Sequence, residues 1–134
     1  AAEAARDRLV AVPSGQSARV AVCTQGGGRI NQHFGHASEF QVYTVDRTGV
    51  RLEGIRRTDN YCREGQGSDA RLDRAMMALD GVDALLCVRI GDPPRHRLEA
   101  AGIAVDATRA FDHVEAAVAD WLLSNRAADA VPAS

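Results

Sequence analysis

The chain has 134 residues, of which 46% are hydrophobic and 25% are charged, and its formal net charge at pH 7 is −2. These values are typical of one globular domain with a single hydrophobic core, and they exclude the basic surface that binds nucleic acid or an anionic membrane. Every basic side chain other than histidine is arginine, so a Schiff-base lysine and the lysine of a phosphate-binding P-loop are both missing.

The three cysteines, Cys23, Cys62 and Cys87, are widely spaced and form no CxxC motif. Their spacing therefore predicts neither a zinc knuckle nor a four-thiolate cluster site. An odd number of cysteines without a signal peptide predicts a reducing, cytoplasmic setting. No apolar run approaches the roughly 20 residues that span a bilayer.

The two ends of the chain differ in composition from the middle. Residues 1–18 are rich in alanine and small polar residues, which predicts a linker or disordered lead, and residues 127–134 are predicted to form a frayed tail. A single folded domain is therefore expected over residues 19–126.

Three strands are predicted in the first half of this domain. Arg19–Thr24 is short and almost wholly apolar, which is typical of a central strand buried on both faces. Phe40–Val45 and Val50–Ile55 are separated by the turn Asp46–Gly49, so we expect them to form an antiparallel hairpin. Gly54 interrupts the second strand of the hairpin and is a candidate bulge.

Helices and strands alternate in the second half. Apolar residues at helical spacing predict helices over Leu72–Leu79 and Val114–Leu122. A short helix around Pro94–Ala101 is predicted from the helix start at Asp92–Pro93 and the stop at Gly102. The helix over Val114–Leu122 should begin with a capping box formed by Asp112 and Glu115. Buried strands are predicted at Ala84–Val88 and Ile103–Val105.

The element order βββ-α-β-α-β-α predicts an α/β fold with a mixed five-stranded sheet, an antiparallel hairpin beside parallel βαβ units, and about three helices. This layout is ribonuclease-H-like. A two-metal nuclease with this layout requires carboxylates at the strand ends. The first and fourth strands end instead in Cys23–Thr24 and Cys87–Val88, which argues against nuclease activity.

The segment Gly26–His36, with the sequence GGGRINQHFGH, has the residues best suited to ligand binding. Its three glycines let backbone amides approach a ligand closely, and its arginine favours an anionic ligand. Its two histidines can each offer a neutral nitrogen to iron or another borderline metal. A phosphate site is not indicated, because there is no GxGxxG motif, no lysine and no following helix. The candidate residues are Gly26, Gly27, Gly28, Arg29, His33 and His36.

Other residues near this segment have simpler interpretations. Phe34 is interpreted as a core residue that anchors the loop, and Cys23 and Cys87 as small core residues of apolar strands. Cys62 lies in a polar segment, so its thiol is expected to be accessible, and Arg63 favours its thiolate form. Loop histidines are also compatible with surface roles, so the residues alone predict a ligand loop and leave its function open.

Three stretches resemble the dinitrogenase iron–molybdenum cofactor biosynthesis family of NifX- and NafY-like domains, and above all its NifB C-terminal type. They are GGGRINQHFGHASEFQVYTV at 26–45, DNYCREGQG at 59–67 and IGDPPRHRLEAAGI at 90–103. The resemblance extends over about residues 19–123. The HFGxA element is shared across the family, whereas the triple glycine and the tyrosine–cysteine loop are more particular to the NifB type.

This resemblance implies a non-catalytic carrier that transiently binds an iron–sulfur precursor of the iron–molybdenum cofactor, or the cofactor itself. The family's cluster-contacting histidine corresponds to His33. His36 and Cys62 are additional candidate ligands, because they lie in or near the matching motifs. The implied partners are nitrogenase cofactor-assembly proteins, namely the radical-SAM synthase domain, a scaffold and apo-dinitrogenase. The clustered cysteines of a radical-SAM half are not in this sequence, so we expect an excised C-terminal domain or a standalone homologue that is not an enzyme by itself.

Two other functions compete with the carrier function. The first is a protein-interaction or regulatory module that docks on the synthase domain or on a client protein and binds no cluster. The second is a metal-dependent hydrolase, which requires carboxylates that converge near the loop. Only Glu39 and Asp59 are candidates for that role, which argues against a hydrolase.

Overall fold

The computed structural model describes residues 17–58 and 69–130. In chain order its elements are β1 (Ser17–Val22), a 3-10 turn (Phe34–His36), β2 (Glu39–Asp46), β3 (Gly49–Arg57), α1 (Asp69–Ala78), β4 (Ala84–Leu86), α2 (Asp92–Ala100), β5 (Ala104–Asp106) and α3 (Val114–Ala130). The order of strands and longer helices is the one predicted from the sequence. Cys62 and most of the predicted lead lie outside the described residues.

The strands form one five-stranded sheet in the order β3-β2-β1-β4-β5. β2 pairs antiparallel with both β1 and β3, whereas β4 pairs parallel with both β1 and β5. The predicted ribonuclease-H-like mixed sheet is therefore confirmed. Because β1, β4 and β5 run in the same direction, the loops that follow them leave the same edge of the sheet, where ligands bind in open α/β folds.

The hairpin of β2 and β3 contains the predicted irregularity at Gly54. Gly54 lies opposite Val42, but Leu52 lies opposite the next residue, Tyr43, so Glu53 is the extra residue of a bulge. A bulge shifts the alternation of side chains by one position, which changes the face on which the following residues lie.

Helices cover both faces of the sheet, and each face has its own apolar core. The predicted apolar stripe of α3 packs on one face together with Val20, Val22, Val45 and Leu86. Helices α1 and α2 pack on the other face. The predicted helical spacing in α1 is confirmed, because Leu72, Ala75 and Leu79 are all buried there. Within residues 17–58 and 69–130, no helix is long and apolar enough to cross a membrane.

Several predicted element boundaries and one predicted cap were wrong. β1 begins and ends two residues earlier than predicted. β4 ends at Leu86, because the amide of Val88 donates to the carbonyl of Gln32 at 3.1 Å instead of continuing the sheet. The predicted capping box of Asp112 is not where α3 starts, because the first helical hydrogen bond runs from the Ala117 amide to the carbonyl of His113 at 2.9 Å. The carbonyl of Asp112 instead accepts a hydrogen bond from the Ile30 amide at 3.0 Å. The helix begins at Val114 as predicted, but it continues to Ala130, eight residues beyond the predicted end at Leu122 and into the predicted tail.

Candidate functional site

Two polar side chains, those of Thr24 and Asn31, form hydrogen bonds across the loop that follows β1. The Thr24 hydroxyl donates to the carbonyl of Arg29 at 2.7 Å and accepts a hydrogen bond from the Gly26 amide at 2.9 Å. Across the loop, Asn31 Oδ1 accepts a hydrogen bond from the Gln25 amide at 2.7 Å, and Asn31 Nδ2 donates to the carbonyl of Gly26 at 3.0 Å. These bonds fix the shape of the loop, and the sequence analysis did not predict them.

The three glycines form the tip of this loop in the left-handed region. Their φ angles are 110° for Gly26, 75° for Gly27 and 70° for Gly28. Such angles strain any residue with a Cβ atom, so the loop requires glycine there. Because the Gly26 amide already donates to Thr24, the exposed Gly27 and Gly28 are the two glycines left as candidate amide donors to a ligand.

Hydrogen bonds join the glycine loop to the segment that precedes α3. Arg29 Nη1 donates to the carbonyl of Phe111 at 2.9 Å, and the Phe111 amide donates to the carbonyl of Ile30 at 2.7 Å. The Val114 amide also donates to the carbonyl of Gly28 at 2.8 Å. Phe111 has a φ of 67°, which is unfavourable for an aromatic residue, and its ring is 61% exposed. These contacts hold the strained conformation in place.

We expect the substitution Phe111→Asn to stabilise the fold by about 1 kcal/mol. Asparagine tolerates the left-handed region, which costs other L residues roughly 1–2 kcal/mol, and the exposed ring contributes little burial. Urea unfolding followed by circular dichroism measures the change. Phe111→Ala is the matched control, because it removes the ring but keeps the strain. Equal stability of the two variants would contradict the attribution to backbone strain.

A single 3-10 turn presents the two candidate histidines, and Phe34 anchors it as predicted. Phe34 is 1% exposed, and its ring stacks on that of Phe40 with centroids 5.9 Å apart. Its amide donates to the carbonyl of Arg89 at 2.9 Å, which ties the turn to the segment after β4. The side chains of His33 and His36 are exposed, and their rings stack with centroids 5.3 Å apart and planes within 2° of parallel.

The two histidines line a hollow of about 400 Å³ at this edge of the sheet. A hollow of this size falls in the range of small-molecule and cofactor sites. Its other wall is the segment from Arg89 to the start of α2, where Asp92 and Pro94 face the same space. Arg89 contributes a positive charge and Asp92 a negative one. The hollow thus combines two imidazole rings with groups of both charges.

The candidate metal ligands of the hollow are its two exposed imidazoles. Among the residues that the structure describes, no group of three or more histidine, cysteine, aspartate or glutamate side chains is placed to hold a metal ion. A structural single-ion site needs about four protein ligands. A cluster with its own bridging atoms needs fewer, and two exposed imidazoles fit that requirement.

The structure divides the predicted site residues into three sets. His33 and His36 lie together at the hollow. Arg29 and the glycines lie on the part of the loop that contacts the segment before α3. Cys62 lies outside the described residues.

Two residues of the hollow, Arg89 and Asp92, were missed as site residues. They follow β4, whose carboxyl end lies beside that of β1 because the two strands are parallel neighbours. The signal was present in the sequence, since charged residues directly after a predicted buried strand are candidates for the ligand edge of an α/β sheet.

The other two cysteines are core residues, as predicted. Cys23 and Cys87 are both fully buried, at the ends of the neighbouring strands β1 and β4. Burial raises the pKa of the Cys87 thiol to about 11. Burial, and secondarily the nearby Cys87, raises the pKa of Cys23 well above its usual range. Both thiols are therefore neutral near pH 7, which disfavours metal binding by either of them.

The fold and the hollow together define a small α/β domain with a candidate ligand site at the carboxyl edge of its sheet. The sequence profile of the family described as "Dinitrogenase iron-molybdenum cofactor" matches residues 16–124. The FeMo cofactor biosynthesis protein NifB of Rhodobacter capsulatus is 59% identical over 99 residues, which are 74% of this chain and 22% of that protein. NifB of Sinorhizobium fredii is 53% identical over 102 residues, which are 76% of this chain and 21% of that protein.

The chain belongs to the dinitrogenase iron–molybdenum cofactor family, as the three stretches in its sequence predicted. It spans about a fifth of the length of the NifB proteins that it matches. The apo form of the orange protein from Desulfovibrio gigas has a similar structure, with a TM-score of 0.56 and 24% identity over 83% of this chain and 92% of that one. That likeness concerns the fold alone.

Proposed function

We propose that this domain is a non-catalytic carrier in the biosynthesis of the iron–molybdenum cofactor. It transiently binds an iron–sulfur precursor of the cofactor, or the cofactor itself. The observation that supports this most directly is the exposed histidine pair at a hollow of about 400 Å³, in a chain of this family.

The proposed ligand contacts follow from the positions of the side chains. His33 binds an exposed iron atom of the cluster, and His36 is the second candidate ligand. Arg89 lies in the hollow and offsets the negative charge of the cluster, a role for which sequence analysis had named Arg29. Arg29 and the amides of Gly27 and Gly28 offer a second anion-binding contact on the same loop.

A carrier must bind its cargo and then release it. A cage of four cysteine thiolates binds a cluster too firmly for easy transfer, whereas a few neutral imidazoles at an open edge allow exchange. Cys62 is proposed as a further ligand. The partners that we propose are the radical-SAM synthase domain, a scaffold and apo-dinitrogenase, which pass the cluster along in the cytoplasm.

We expect His33→Ala to weaken binding of isolated iron–molybdenum cofactor by at least about tenfold. Removal of an outer partner of a metal ligand alone costs 10–100-fold, so loss of a direct ligand should cost no less. Anaerobic titration followed by visible absorbance and electron paramagnetic resonance measures the affinity. His96→Ala is the matched control, because His96 is also exposed but lies outside the hollow. Equal affinity of wild type and His33→Ala would rule out the role of His33.

A docking module without a cluster is the second candidate function, and one observation favours it. The bulge in β3 places Leu52 and Ile55 on the same face of the sheet, since they lie opposite Tyr43 and Gln41 of β2. Their side chains are 54% and 52% exposed. If wild type binds no cofactor, and Leu52→Asp abolishes capture of the separately expressed synthase domain, the docking function replaces the carrier function.

A further inference from the structure

We infer that the exposed ring of Phe111, with Arg29 and Asp112 beside it, forms the surface on which a cluster-accepting protein docks. These three residues are called the Phe111 surface, and none of them lines the hollow of the histidines. The inference rests on the proposed carrier function and deepens it, because it names the surface that the acceptor contacts. The chemistry of that acceptor is an apolar pocket bordered by charged groups.

The conformation of Phe111 has a cost that its ring does not offset within the domain. Its φ of 67° lies in the left-handed region, and among the residues that the structure describes it is the only one other than glycine with a positive φ. The ring is 61% exposed, so it gains little from burial. Strained residues of this kind cluster at functional sites. The ring therefore points to contact with another molecule.

The backbone around Phe111 holds the ring in a fixed position. The Phe111 amide donates to the carbonyl of Ile30 at 2.7 Å, and Arg29 Nη1 donates to the Phe111 carbonyl at 2.9 Å. The Asp112 amide donates to the carbonyl of Arg109 at 3.1 Å. A side chain that is already held in place loses less conformational entropy when it binds, and aromatic and arginine side chains carry much of the energy of protein interfaces.

The shape and the charges of the Phe111 surface fit a protein better than a small molecule. Small ligands bind in concave sites that bury most of their surface, whereas an exposed ring needs a pocket on the other molecule. The exposed Arg29 and Asp112 place both charges around the ring. Arg29 forms no ion pair with a carboxylate of residues 17–58 or 69–130, so its anion-binding contact suits a carboxylate of the partner. An apolar centre with a polar border is the usual anatomy of a protein interface.

The Phe111 surface lies at the edge of the sheet where the cluster is proposed to bind. Phe111 follows β5 and Arg29 follows β1, and these strands run in the same direction, so both residues lie at the carboxyl edge. Arg29 and His33 belong to the same loop between β1 and β2. A protein seated on Phe111 therefore approaches the hollow without contacting the ring through the residues that line it, which suits an acceptor of the cluster.

The test measures binding of acceptor proteins to the full chain without any cluster. The probes are apo-dinitrogenase and a cofactor-free scaffold, each immobilised for surface plasmon resonance. We expect an acceptor to bind wild type and Phe111→Ala to weaken that binding at least about tenfold. Phe111→Asn should weaken it as much while stabilising the fold, a combination that a merely structural role of the ring does not produce. The matched control is Met77→Ala, which removes an apolar side chain that is 76% exposed and should bind like wild type.

The outcomes separate this inference from the function on which it rests. Unchanged acceptor binding by Phe111→Ala, or no acceptor binding by wild type, overturns the inference. A loss of binding only to the separately expressed synthase domain also overturns it, because the partner is then not an acceptor. Titration with isolated iron–molybdenum cofactor tests the carrier function, and Phe111→Ala should bind the cofactor like wild type. Absence of cofactor binding by wild type overturns the carrier function, whereas weakened acceptor binding with unchanged cofactor affinity supports both.

Discussion

Phe34→Ala should lower the free energy of unfolding by about 3–5 kcal/mol and should also abolish cofactor binding at the hollow. Phe34 is 1% exposed, so alanine leaves a cavity beside Phe40. The same residue lies between the two histidines, so its loss removes the anchor that positions both rings. Urea unfolding measures the stability, and anaerobic titration with isolated iron–molybdenum cofactor measures the binding.

Phe34→Leu separates the two effects. Leucine refills most of the cavity and keeps the backbone bond from residue 34 to the carbonyl of Arg89, so about half of the stability should return. If the position of the turn matters for binding, the leucine variant should bind the cofactor measurably. A leucine variant as stable as wild type that binds no cofactor would show instead that the aromatic ring itself contacts the ligand.

The fold was predictable because its signals are local. The apolar run of β1, the hairpin around Asp46–Gly49 and the helical spacing of Leu72, Ala75 and Leu79 each depend on a few neighbouring residues. The boundaries that were wrong depend on distant residues. Val88 leaves the sheet to pair with Gln32, and Asp112 pairs with Ile30, across separations that no local pattern records.

Only the part of the candidate site that lies within one continuous segment of the chain was predictable from the sequence. The histidine turn and the glycine loop stand next to each other in the sequence, so their composition marks them as a ligand loop. The opposite wall, from Arg89 to Pro94, comes from more than 50 residues further along the chain, and only the parallel pairing of β1 and β4 brings it to the same edge. Arg29, although close in sequence, contacts Phe111 through its guanidinium.

Above pH 9, ionisation of the Cys87 thiol alone should lower the free energy of unfolding by about 1.4 kcal/mol per pH unit. Burial raises the pKa of this thiol from the usual 9.0 to about 11. Below pH 9 the thiol is protonated in both states, and stability is at its full value. Between pH 9 and 11 the thiol ionises in the unfolded chain but not in the folded one, so unfolding becomes easier as pH rises. Urea unfolding at pH 7.5, 9 and 10 measures the slope.

The absence of lysine makes this pH range unusually easy to interpret, because few groups other than cysteine and tyrosine titrate there. Cys23, whose pKa burial also raises, adds to the slope, and Tyr43 adds to it above pH 10. Arg95 opposes the shift of Cys87, and Asp106 reinforces it. Cys87→Ala should lower stability at every pH but flatten the slope between pH 9 and 10. An unchanged slope in that variant would show that the thiol is not responsible.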